Sequence, residues 1–220
     1  MNYLKSNFLS LIILIAMVGV SFYLYPDLPD QIPSSFDLDG TVQDYSSKNL
    51  MVVLLPLIYA ILLVVINLLI RVSPQKFSMP NSKQAMDIIM FGIGVYFLFI
   101  HLDLLNRNQD SSETGFYISL GAGLFLIIVG NVFGKTERNF FIGLRTPWTL
   151  ASTDNWRVTH RLAGKLCVIV GVLILVVNSF LNSMLIIVAL AVSVIIIPVI
   201  YSLVYYLKYE KPNEANEQED

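Results

Sequence analysis

Apolar residues in this chain come in long runs separated by short polar connections. Six runs meet the length criterion for membrane helices: Phe8–Tyr25, Leu50–Ile70, Ile88–Leu105, Phe116–Gly134, Leu162–Phe180 and Met184–Leu207. At about 1.5 Å per residue, Leu50–Ile70 alone spans roughly 31 Å, close to the ~30 Å hydrocarbon core of a bilayer. The runs are apolar on every face, which argues against a water-soluble bundle. The pattern predicts an all-α membrane protein, a polytopic bundle of six transmembrane helices. Residues 26–49, 135–161 and 208–220 are predicted as an outer loop module, an inner loop and an acidic, disordered tail. Lys5 precedes the first run as in a signal peptide, but its end, S-F-Y-L-Y-P, offers no small-residue cleavage site, so it reads as a retained helix.

Composition agrees with this class: mean hydropathy is +0.68 and charged residues are 14%, against roughly 25% in soluble domains. Charge then sets a predicted orientation. Twelve of the fourteen Lys and Arg residues fall at the N-terminus, in 71–87, in 135–165 or at the C-terminus, and only Lys48 and Arg107 on the other side. This bias predicts both termini in the cytoplasm and an acidic outer face. The single cysteine, Cys167, lies inside the fifth run, excludes an intramolecular disulfide and reads as a packing residue.

In the outer loop Pro26, Pro29 and Pro33 oppose helix, and Asp37-Leu38-Asp39-Gly40 reads as a turn. A calcium loop opening at Asp37 would need Gly and Glu where Val42 and Lys48 stand, so no metal site is expected. An acidic solvated turn or a contact surface for a cationic partner remain as readings. His101 and Asp103 sit near the outer end of the third helix, two residues apart, and so face different directions. Interfacial solvation is the expectation, with a proton-linked or ligand contact as the alternative. The fourth helix carries Gly121, Gly123 and Gly130-x-x-x-Gly134, which permit close helix approach; Asn131 and Asn178 are candidates for interhelical hydrogen bonds.

The inner connection, Asn139 to Lys165, gathers both tryptophans, one of two histidines and four cations. Gly143 and Thr146-Pro147 oppose a continuous helix in its first half. Its apolar residues suit a segment lying in the membrane interface with Trp148 at headgroup level. Ser152, Thr153 or Asp154 is expected to cap the next helix. On that helix Trp156 and His160 share a face, and Arg157, Arg161 and Lys165 form a cationic ridge. Arg145 is expected to meet this ridge or to pair with Asp154.

Two modules carry a family resemblance. Leu28-Pro29-x-Gln31-Ile32-Pro33-x-x-Phe36, with Gly40, Tyr45 and Lys48, resembles the extracellular module of SdpI-like membrane proteins, except that Ser35 and Gln43 replace the usual histidine and aspartate. Asn139, Ile142, Gly143, Arg145-Thr146-Pro147-Trp148-Thr149-Leu150, Ser152, Trp156, Thr159-His160-Arg161 and Gly164-Lys165 closely resemble the C-terminal signature of the same family. The resemblance implies an immunity protein of the bacterial cell membrane that protects against a secreted toxic peptide. The founding member also signals, holding a cytoplasmic transcriptional repressor at the membrane when toxin is present. On that reading Asn139, Gly143, Arg145, Thr146, Pro147, Trp148, Trp156, Arg157, His160 and Arg161 are candidates for partner binding. Asp37, Asp39, Asp44, His101 and Asp103 are candidates for facing the toxin.

Other function classes fare less well. H-E-x-x-H, G-x-S-x-G and P-loop patterns are absent from the sequence, so no catalytic residue, cofactor or metal is expected, and no direct nucleic-acid binding. The expected partners are membrane lipids, the peptide and the repressor. A small transporter or channel is the alternative, motivated by His101, Asp103, the intramembrane asparagines and the helices broken by Pro56 and Pro198.

Overall fold

The computed structural model describes residues 7–36, 42–72, 83–106, 115–139, 142–181 and 184–211. Its long helices are α1 (Phe8–Leu24), α2 (Lys48–Val72), α3 (Lys83–Leu105), α4 (Phe116–Phe133), α6 (Thr153–Phe180) and α7 (Met184–Tyr205), with a short α5 (Pro147–Ala151) between α4 and α6. Among the described residues, six helical segments, extending from Phe8–Asp27 to Leu185–Glu210, are long and apolar enough to cross a membrane. With so few polar side chains along them, only helices that satisfy their own backbone hydrogen bonds are compatible with lipid.

The bundle is a row of neighbours rather than a ring. α4 packs most extensively on α6, α3 covers the other side of α4, α7 flanks α6, and α1 and α2 lie outside α3. Large apolar side chains on the outer helices face away from the protein, among them Phe22 at 84% and Leu185 at 81% exposed. Burial is correspondingly uneven, from 17% of the apolar window of α1 to 39% of those of α3 and α6.

The connection between α1 and α2 is not an irregular loop. After a 3₁₀ turn at Tyr25–Asp27, β1 (Gln31–Phe36) and β2 (Val42–Ser47) pair antiparallel, with Gln31 opposite Ser47 and a register irregularity next to Pro33. Proline lacks a ladder donor, and an irregular two-stranded edge is where a strand tolerates it. Ile32 and Leu28 bury against Met51 and Val52 of α2 and Leu105 of α3, anchoring the hairpin to one end of the bundle. Lys48 fixes its base, 3.0 Å from Asp30 and 5.2 Å from the Tyr25 ring centre. Asp37 and Asp39 lie outside the described residues.

At the chain's end, Tyr206–Glu210 continues α7 as a π turn and Lys211 is still helical. Lys208–Lys211 therefore belong to the helix rather than to the predicted tail; 212–220 lie outside the described residues.

Candidate functional site

The signature connection is built on a turn-rich backbone and a stacked pair of rings. Thr146 and Thr149 form a reciprocal capping box at the start of α5, with Pro147 at its first turn, where a missing N–H costs nothing. Thr149 also donates its hydroxyl to the Leu144 carbonyl at 2.8 Å. Arg138 places Nη1 2.9 and 3.0 Å from the carbonyls of Leu150 and Ala151, closing the other end of α5. Ser152 then caps α6, its hydroxyl accepting from the Asn155 N–H at 3.2 Å. The chain breaks between α5 and α6 where Ser152 is extended.

Trp156 and His160 occupy successive turns of α6, fully enclosed at 1% and 0% exposure, with ring centres 3.9 Å apart and nearly parallel. Trp156 Nε1 donates to the Thr136 carbonyl at 2.8 Å, tying α6 to the end of α4. The Leu144 N–H donates to His160 Nε2 at 2.9 Å, so Nε2 is the acceptor. Nδ1 then carries the proton and donates to the Trp156 carbonyl at 2.8 Å, which defines a neutral imidazole with both nitrogens used. Gly143 passes directly over this stack with φ +127°, and a Cβ there would strike His160 Nε2 and the Trp156 ring. Both the conformation and the space require glycine. Asn139 completes the turn, accepting from the Ile142 N–H at 2.7 Å through its side-chain oxygen.

A buried polar chain carries this knot onto α7. Thr146 Oγ1 lies 3.2 Å from Ser202 Oγ, and Asn155 donates Nδ2 to the Ser202 carbonyl (3.0 Å) and to Glu210 Oε2 (3.1 Å). Thr159 donates to Asn155 Oδ1 at 3.1 Å. In a low-dielectric bundle such a network ties its helices together, although Glu210 Oε1 has no partner among the described residues.

The predicted contact residues therefore divide into two groups. Asn139, Gly143, Thr146, Trp156 and His160 are gathered into the knot, and Asn139, Thr146, Trp156 and His160 are buried, so these side chains offer no surface to a partner. Arg145, Pro147, Arg157 and Arg161 are exposed around it, and Lys165 extends the ridge one turn further. Arg145 does not pair with Asp154, which instead meets Arg157 Nη2 at 2.8 Å, one turn away on the same helix. Trp148 is half-buried, its ring centre 6.4 Å from that of Tyr206.

At the hairpin end, His101 and Asp103 are 0% and 3% exposed, not solvated as expected. α1 crosses over His101: Nε2 lies 2.7 Å from Ser21 Oγ, whose hydroxyl donates to the Val52 carbonyl of α2 at 2.8 Å. Asp103 faces α4 and accepts from the Gly115 N–H at 3.2 Å, at the left-handed residue that opens that helix. Neither presents a side chain to an outside ligand. Asp44 does: it is exposed on β2, opposite Ser35, whose hydroxyl donates to it at 3.1 Å. Asn178 makes the expected interhelical bond, to the Phe116 carbonyl at 3.1 Å. Asn131 does not; it is exposed and donates to Ile127 of its own helix.

Sequence reasoning did not single out Thr136, Arg138, Asn155, Ser202 or Glu210 as site residues. The T-P-W-T pattern is a local signal that could have found the Thr146–Thr149 capping pair, but a backbone carbonyl at 136 and a serine more than forty residues downstream carry no local signal.

Six membrane-length helices, a small hairpin at one end and a signature buckled over a Trp–His stack at the other define a multi-pass cell-membrane protein. The chain belongs to the SdpI family: residues 135–202 match the SdpI/YfhL protein family, and residues 12–60 match a domain of unknown function, DUF1648. It is 33% identical over 177 residues to the immunity protein SdpI of Bacillus subtilis (strain 168), covering 80% of this chain and 83% of that protein. No solved structure matches it.

Proposed function

We propose that this protein confers immunity on the cell that carries it against a secreted toxic peptide, and that its signature end faces the cytoplasm and holds a repressor protein at the membrane when the peptide is present. The observation that carries the reading is the 33% identity to an immunity protein, sustained over four-fifths of the chain. The burial pattern supports a division of labour. The peptide meets the hairpin end, where Asp44 is exposed; His101 and Asp103 act there by tying α1, α2 and α4 to α3 rather than by touching the peptide. The repressor meets Arg145, Arg157 and Arg161, held in place by the buried knot.

Between the ends runs the α4–α6 pair. Asp103 and Asn178 hold α4 at its first turn, and Trp156 holds the residues just after its last. A displacement at the hairpin end is transmitted along this pair as a rigid unit. The test is survival. Cells lacking the gene are expected to become sensitive to the cognate peptide and to recover with the gene restored; equal survival with and without it across the candidate peptides overturns the immunity reading.

A further inference from the structure

The seam between α1 and α2 has no part in the knot and is incompletely filled. At its signature end it opens as a groove of about 360 Å³ whose walls are Leu11, Leu63, Val64 and Leu68 and whose mouth carries Asn7, Asn67 and Arg71. Toward the hairpin it continues as a wider apolar groove of about 570 Å³, with Leu14, Val18, Pro56 and Leu57 among its lining residues. The two are open to the outside of the bundle, on helices whose other large side chains face outward, Ile15 at 71% exposed among them.

Polar and apolar parts of this opening are ordered along the helix axis. α2 has 25 residues, about 37 Å, so it outruns the ~30 Å hydrocarbon layer and leaves Arg71, in its last turn, at the depth of lipid headgroups. Arg71 is exposed and, among the described residues, makes no ion pair. Asn7 and Asn67 sit beside it, joined by a 2.9 Å hydrogen bond across the seam. From Arg71 to Leu63 the apolar wall runs about 12 Å, comparable with the ~15 Å depth of one leaflet. A cation at headgroup depth above an apolar channel one leaflet deep matches one kind of molecule in charge and length.

We propose that the α1–α2 seam is a binding site for an anionic phospholipid, with its phosphate at Arg71 and one acyl chain between Leu11, Leu63, Val64 and Leu68. The guanidinium supplies charge-assisted hydrogen bonds to phosphate oxygens, and the chain fills space that no side chain of the described residues occupies.

Native mass spectrometry of the full-length protein, released from detergent with equal amounts of phosphatidylglycerol and phosphatidylcholine, tests this. The bound phosphatidylglycerol is expected to exceed phosphatidylcholine by about fivefold, the preference one basic residue confers at a membrane surface. Arg71→Ala should bring the ratio to parity, Lys135→Ala should leave it unchanged, and Val64→Trp, which narrows the channel, should lower retention of both lipids. The proposal is overturned by parity in the unaltered protein, by a preference that survives Arg71→Ala, by an equal loss in Lys135→Ala, or by undiminished retention in Val64→Trp. It is also overturned if the protein is a dimer that Val64→Trp converts to monomer, because a second copy would then be the occupant.

Discussion

The α4–α6 pair and the α1–α2 pair are both antiparallel and both membrane-length, yet they are held together differently. Along α4 and α6 glycines face backbone: a Cβ on Gly130 would lie 2.7 Å from the Gly164 carbonyl oxygen, one on Gly164 would lie 2.9 Å from that of Gly130, and Gly123 and Gly171 repeat the arrangement two turns away. Along α1 and α2 the partners are bulky side chains that do not close the seam, and Gly19 has nothing within 4 Å of where its Cβ would be. Lipid provides no hydrophobic drive for helices to associate, so close approach of backbones is what gives a membrane pair its rigidity. The first pair is built to hold a fixed geometry. The second is bordered by space that something from the bilayer can fill.

The same side chain placed on both pairs should have opposite consequences. Gly130→Leu should abolish recovery of folded protein, since what it meets is backbone that cannot move aside, whereas Gly19→Leu should be recovered at the level of the unaltered chain. Fluorescence size-exclusion profiles in detergent distinguish these outcomes, and similar profiles for the two would contradict the contrast.

A smaller effect tests the knot. Trp156→Ala removes the ring that covers His160 and the donor to the Thr136 carbonyl, and should cost about 3–5 kcal/mol. Gly143→Ala should cost about 2 kcal/mol or more, because an L-residue at φ +127° adds backbone strain to the clash with His160. Reversible denaturation in mixed micelles reads both. At the hairpin end Ser21→Ala leaves a buried imidazole nitrogen without its partner and should cost about 1–3 kcal/mol by the same assay. Least of all, Arg157→Ala removes only an exposed pair with Asp154 and should change stability by less than about 1 kcal/mol.

These two regions were also unequally legible in the sequence. The apolar runs alone carried the membrane class and the six-helix architecture, because twenty residues without charge leave few alternatives. The small-residue spacing at Gly130 and Gly134 pointed to close approach, and the structure supplies the partner: Gly164 lies opposite Gly130, and Arg161 beside Gly134. The signature was visible as a cluster, but its roles were not. Trp156, His160 and Arg161 look alike as costly residues in a polar connection, and only burial separates the ring stack from the exposed cation. Position along α3 places His101 toward a solvated helix end, but depth along a helix says nothing of what crosses in front of it; here that is α1, with Ser21. The hairpin was missed because Pro29 and Pro33 mask a strand whose pairing is short and irregular.

If the knot supports and the exposed arginines contact, the difference shows in the amount of repressor that sediments with membranes when the peptide is added to cells carrying the Arg145→Ala, Arg161→Ala double variant. Membrane recruitment is expected to be lost while the variant is present at normal level and unfolds at the same denaturant concentration as the unaltered protein. Normal recruitment by that variant would show that these arginines are not the contact.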